Sequence, residues 1–297
     1  MPRPRLTPAS YRRLTLLAAL AVAFIIVTGG AVRLTGSGLG CPDWPTCESQ
    51  RIVAPLEYHA MVEFVNRTIT GLVSVAVILA VLGSLVRQPR RKDLTWLSLG
   101  LVGGVVGQII LGGLTVLFEL KPQFVMAHFL VSMVLLADAV VLFHRAGQPD
   151  DGGVVPTPAV PRDLRRMGQV VLAAAGIAVF LGTVVTGAGP HGGDQDVERL
   201  RLAVPAAARF HGAAVILFVA VTLVTLWRLR RAGAPAALLR AGEILLAVSV
   251  AQAAVGYTQY FTGVPVLLVG IHIAGAAAVW SAAVWFLLAF TVRPVRA

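Results

Sequence analysis

Charge is scarce in this sequence, and cysteine is scarcer. Only 13% of the 297 residues are charged against 57% hydrophobic, and mean hydropathy is +0.81. A soluble fold cannot hide that much apolar surface, so the composition excludes one and indicates an integral membrane protein. Acidic residues are the rarer sign, 14 against 25 Lys and Arg, for a net charge of +11. The basic residues gather in loops between apolar segments, where they set membrane orientation rather than bind nucleic acid. The only cysteines, Cys41 and Cys47, share one hydrophilic loop, at a spacing that fits neither c-type haem attachment nor a zinc ribbon. No small-residue cleavage site follows the basic residues 1 to 13 (Arg3, Arg5, Arg12, Arg13), which predicts an uncleaved first span.

Apolar runs predict eight spans, near 14–35, 60–85, 94–118, 124–145, 165–187, 206–229, 241–261 and 265–291. Lys and Arg concentrate at the N-terminus, 86–93, 145–166, 228–240 and the C-terminal tail. Both termini are therefore expected on the cytoplasmic side of the membrane, in a multi-pass protein. The Gly-, Pro- and Asp-rich stretch 146–161 reads as a flexible cytoplasmic linker between a four-helix half at 1–145 and another at 162–297. Because each half has an even number of spans, the second repeats the first in the same orientation. The expected fold class is an all-α membrane protein of eight transmembrane helices in two pseudo-twofold-related four-helix bundles.

The repeat is visible in the residues. Gln108 precedes His128 by 20 positions and Gln252 precedes His272 by 20; the copies are offset by 144. Each copy carries a glycine four residues after the glutamine (Gly112, Gly256) and a proline in the turn before the histidine (Pro122, Pro265). A spacing held through helix, turn and helix marks a duplicated hairpin. Thr35-Gly36-Ser37-Gly38 likewise matches Thr186-Gly187-Ala188-Gly189.

His59, His128, His211 and His272 begin the even-numbered spans near their outer ends. Two imidazoles per half, on facing helices, suit the axial ligation of a haem iron. A lone histidine at a membrane interface is more often a structural hydrogen-bonding group; it is the repetition that favours ligation. His144 reads as a solvated helix end and His191 as a loop contact. In the second span, His59, Glu63 and Asn66 share a helix face. A carboxylate there is costly, which makes Glu63 a functional candidate, with an ion pair to Arg67 as the alternative. Asn66 lies 145 before His211 and His59 lies 152 before it. Asn66 thus holds the position equivalent to His211, and His59 sits about 10 Å further out along the helix. Cys41 and Cys47 lie on the outer side, where a disulfide can form, as a structural staple or as a redox pair. Asp138, deep in the fourth span, has no evident partner.

The run TGSGLGCPDWPTC, the EFVNR start of the second span, the loop TGAGPHGGD and the repeated histidines resemble the haem A synthase family across nearly all the spans. The resemblance implies an oxidoreductase of haem biosynthesis that converts the C8 methyl of haem O to a formyl group by successive hydroxylations and loss of water. It implies a haem b cofactor in the C-terminal half, its iron a metal-binding site at His211 and His272. The substrate haem falls to the N-terminal half, on His128 and His59, with Asn66 as the alternative to His59, because that family's histidine three residues after the glutamate is replaced here by Asn66. Glu63 would serve in proton transfer, and Arg67 and Arg209 would bind propionates or simply anchor the helices at the interface. Implied partners are haem O, membrane lipid, a haem O synthase, and a quinone or other electron acceptor, with no nucleic acid. The competing readings are a diheme, cytochrome b-like electron carrier, which needs neither Glu63 nor the cysteine loop, and a transporter. The transporter is disfavoured because no proline breaks the middle of a span.

Overall fold

The structure is a computed structural model that describes residues 5–150 and 157–292. Among these residues eight helices are long and apolar enough to cross a membrane. They are α1 (Pro8–Leu34), α2 (Tyr58–Val86), α3 (Lys92–Leu117), α4 (Pro122–Ala146), α5 (Arg162–Ala188), α6 (Val204–Arg231), α7 (Ala236–Phe261) and α8 (Val266–Leu288). Large apolar residues are exposed along their lengths, Leu20, Leu72, Val134 and Leu267 among them. Such a surface is stable only in lipid, and the chain is a multi-pass membrane protein.

The eight expected spans are all present, with shifted ends. α1 starts at Pro8 rather than 14, because Thr7 caps it, accepting from the Ser10 N–H at 3.2 Å, and Pro8 supplies a pre-set first turn. α7 starts at Ala236 rather than 241, directly after Pro235. α8 ends at Leu288 rather than 291, where a two-residue strand (Thr291–Val292) pairs antiparallel with Thr157–Pro158. Hydropathy marks the lipid-immersed part of a helix and misses the polar turns that extend beyond it.

α1 to α4 form one closed ring of neighbours (α1 with α2, α2 with α3, α3 with α4, α4 with α1), and α5 to α8 form another in the same order. Between the rings α4 packs on α8 and α5, and α1 packs on α8. Tyr11, Ala18, Val22, Leu101, Leu136 and Ala139 lie in the first ring's core, which also takes in Ala277 and Val284 of α8. Trp280 Nε1 of α8 donates to the Met133 carbonyl of α4 at 2.7 Å, satisfying a polar atom inside this contact.

The expected linker is anchored on both flanks. Asp150 accepts from the buried Arg87 guanidinium at 2.6 and 2.9 Å, and Thr157–Pro158 join the short sheet. Its residues 151–156, Arg3 at the N-terminus and the tail from 293 lie outside the described residues. His144, expected in solvent, is half-buried and packs edge-on against Trp285 of α8 at 4.8 Å, because α4 and α8 are neighbours here.

At the opposite end, loops clasp the two rings together. Gly38 N–H donates to the Gly193 carbonyl at 2.8 Å, Arg33 Nε donates to the His191 carbonyl, and His191 Nε2 meets the Val264 carbonyl at 2.9 Å. His191 is thus the loop contact that its glycine-rich setting suggested.

Candidate functional site

The duplicated glutamine–histidine spacing is realised as one hydrogen bond made twice. Gln108 Nε2 donates to the His128 carbonyl at 3.0 Å, and Gln252 Nε2 donates to the His272 carbonyl at 2.8 Å. In both copies a glycine of the preceding helix lies beside the imidazole edge, Gly112 at His128 and Gly256 at His272. Any side chain at Gly275 would collide with the Gln252 amide, so that glycine makes room for it.

In the C-terminal ring His211 of α6 and His272 of α8 face each other, ring centroids 6.3 Å apart and planes at 82°. His211 Nδ1 is bonded to the Ala178 carbonyl at 3.0 Å, and His272 Nδ1 lies 2.9 Å from Gln252 Nε2. The Nε2 atoms are the nitrogens left for other chemistry. An imidazole nitrogen sits about 2 Å from a metal that it ligates, so two rings sharing one iron have centroids roughly 6 Å apart. The observed separation fits that span. Among the described residues no three His, Cys, Asp or Glu side chains form a metal cage; an iron inside a porphyrin needs only two protein ligands.

The N-terminal ring is arranged differently. His128 of α4 is half-buried, and among the described residues its Nδ1 has no partner; the same is true of Gln108 Oε1 and Asn66 Oδ1. His59, the second residue of α2, is exposed, with Nδ1 2.9 Å from Ser37 Oγ and its ring edge-on to Tyr58. The structure therefore brings His211 and His272 together, and sets His59 at the end of its helix.

Glu63 is 6% exposed and fully engaged with the cysteine loop. Its Oε2 accepts from the Cys41 N–H at 2.7 Å, and its Oε1 accepts from Arg67 Nε at 3.1 Å and Nη2 at 2.5 Å. Arg67 also donates to the carbonyls of Asp43, Thr46 and Cys41 at 3.2, 2.9 and 2.9 Å, and lies over the Trp44 ring at 5.2 Å. The ion pair weighed as an alternative from the sequence is present, and it is the clasp of the loop. With all five donors committed, Arg67 has none left for a propionate. Arg209 is exposed on α6.

Cys41 and Cys47 form a disulfide, each 1% exposed or less. Gly40 runs so close to the His59 carbonyl that no side chain fits there, and Trp44 packs on Gly113 of α3. The loop is a lid strapped to α2 and α3 of the N-terminal ring. Asp138 lines a cavity of about 580 Å³ between α3 and α4 with Gly100, Gly104 and Arg145, away from the paired histidines.

Sequence reasoning missed Ser37, Trp44 and the Ala178 carbonyl as partners of site residues. Ser37 carried a faint signal, since its counterpart Ala188 has no hydroxyl. A backbone carbonyl carries none.

An eight-helix membrane protein with one paired-histidine ring and one ring lidded by a disulfide loop is the class that fold and site define. The family model described as cytochrome oxidase assembly protein matches residues 12–59 and 53–190, more than half of the chain. The heme A synthase of Shouchella clausii is 24% identical over 272 residues, 88% of this chain and 90% of that protein. The heme A synthase of Exiguobacterium sibiricum is 28% identical over 166 residues, 54% of each chain. That of Staphylococcus saprophyticus is 28% identical over 130 residues, 43% of each. The chain belongs to this family, that of the haem A synthases.

Proposed function

We propose that the chain oxidises the C8 methyl group of haem O to the formyl group of haem A, through successive hydroxylations and loss of water, in the bacterial cytoplasmic membrane with both termini cytoplasmic. The observation that carries this reading is the unequal furnishing of two similar rings. One has a matched imidazole pair at 6.3 Å, the other a single imidazole among unpartnered polar atoms and a buried carboxylate. A relay needs the first arrangement alone; a reaction at a substrate carbon uses the second as well.

His211 and His272 would hold haem b, which when bound supplies one-electron transfer. Ala178 and Gln252 orient the two rings. In the N-terminal ring His128 holds the substrate haem from α4. Glu63, held in place by the Cys41 N–H and Arg67, accepts a proton released as the methyl carbon is oxidised. The lid over α2 and α3 excludes water. Electrons leave to a quinone or other membrane acceptor, and a haem O synthase delivers the substrate. Two pseudo-twofold-related bundles, 1–145 and 162–297, account for the shared ring plan.

Extraction and chromatography of the bound haems tests the function. Haem b together with haem O or haem A is the expected result. Haem b alone, in protein produced alongside a haem O supply, favours the electron carrier.

A further inference from the structure

The offset of 144 that relates Gln108 to Gln252 and His128 to His272 is met within one residue by Asn66 and His211, which lie 145 apart. His211 is the eighth residue of α6 and Asn66 the ninth of α2. In the C-terminal ring the α6 position presents an imidazole to His272 at 6.3 Å. In the N-terminal ring the matching position presents a carboxamide whose Oδ1 is buried with no partner. His128, the counterpart of His272, has an unpartnered Nδ1, and Gln108 beside it an unpartnered Oε1. Buried polar atoms without partners cost free energy, which a bound polar group returns.

The other imidazole of α2 is poorly placed to substitute. His59 lies seven residues before Asn66, about 10 Å along the helix axis. It is exposed and bonded to Ser37 Oγ at 2.9 Å, and the Gly40 backbone lies tight against its carbonyl, holding the start of α2 under the lid.

We propose that the N-terminal ring binds its haem through His128 as the single strong axial ligand, with Asn66 standing on the opposite face as a hydrogen-bonding amide that leaves the iron open to a small diffusible ligand. The proposal rests on the reading of that ring as a haem site. A neutral amide is a poor iron ligand but a good partner for a small molecule bound there, and such distal groups decide what an iron does. The same plan then gives a paired-imidazole site in one ring and an open one in the other, and Asn66 is the side chain that would keep it open.

The test uses full-length protein purified with its haems from cells supplied with haem O, its haem-to-protein ratio measured first. Carbon monoxide is then added to the reduced protein and cyanide to the oxidised protein, with optical and electron paramagnetic resonance spectra of each. A ratio of two is expected, with one haem high-spin and reactive towards both probes and the other low-spin and inert. Asn66→His should convert the reactive haem to low-spin and weaken carbon monoxide binding at least about 10-fold; Asn66→Ala should keep it high-spin, and His59→Ala should leave both spectra unchanged. A ratio of two with both haems low-spin and inert in the wild type overturns the proposal, and recovery of reactivity in His59→Ala would then identify His59 as the ligand. A ratio of one overturns the two-haem reading itself, and the proposal with it. Wild-type protein alone decides, so the outcome does not depend on the variants folding.

Discussion

The two four-helix rings follow one plan and differ in how they treat polar atoms. In the C-terminal ring both imidazoles have their Nδ1 atoms occupied, by a backbone carbonyl and by Gln252, and they face each other at 6.3 Å. In the N-terminal ring the equivalent glutamine makes the equivalent bond, yet Asn66, Gln108 and His128 each keep a buried atom without a partner among the described residues. That ring also carries a disulfide lid and a buried Glu63–Arg67 pair. The C-terminal ring has unpartnered buried atoms too among the described residues, Arg165 Nε and Gln259 Oε1, but its two imidazoles are paired and held, whereas in the N-terminal ring the unpartnered atoms include the imidazole itself.

The largest expected effect tests whether the rings are separate sites. His272→Ala or His211→Ala should weaken haem b binding by more than about 100-fold while the N-terminal haem stays, and His128→Ala should do the reverse. Quantified haem extracts check this, and equal loss of both haems in every variant would break the comparison. Next, Glu63→Gln should lower haem A formation by roughly 10²- to 10⁴-fold with total haem near normal, since a positioned proton acceptor contributes about that much. If haem content falls in step with product, Glu63 serves the lid rather than the chemistry. Removing one partner of a buried pair costs about 3–5 kcal/mol, so Arg67→Met should loosen the lid, read as faster proteolysis between Cys41 and Arg51, with the C-terminal haem spectrum unchanged.

Smaller effects sharpen the contrast. Gln252→Leu should cost about 10- to 100-fold in haem affinity in its own ring, and Gln108→Leu should act only on the other, both measurable by haem titration. Replacing Cys41 and Cys47 by serine should cost about 2 kcal/mol, the loop-closure entropy of so short a ring, seen as a lower melting temperature of the N-terminal signal.

Much of this was legible in the residues. The spans announced themselves because twenty apolar residues in a row have few alternatives to lipid, and the Gln–His spacing exposed the duplication because helix, turn and helix kept their lengths. Asn66 could be matched to His211 by counting to within one residue. Arg67 could not be read from its spacing: four residues after Glu63 it looked like an ion-pair partner or a propionate ligand, and the structure spends it on the carbonyls of Cys41, Asp43 and Thr46 as well. His144, beside Arg145 at a polar helix end, gave no hint of Trp285, which is more than a hundred residues away.

The sequence by itself determined eight spans, a repeated hairpin and the histidines that the repeat presents, because periodicity and spacing are local and survive without knowledge of neighbours. Only the tertiary structure decided which imidazoles meet, that Glu63 is fastened to Cys41 and Arg67, and that the disulfide loop covers one ring. Those outcomes depend on buried polar groups finding partners, and the partners come from helices and loops that only packing brings together.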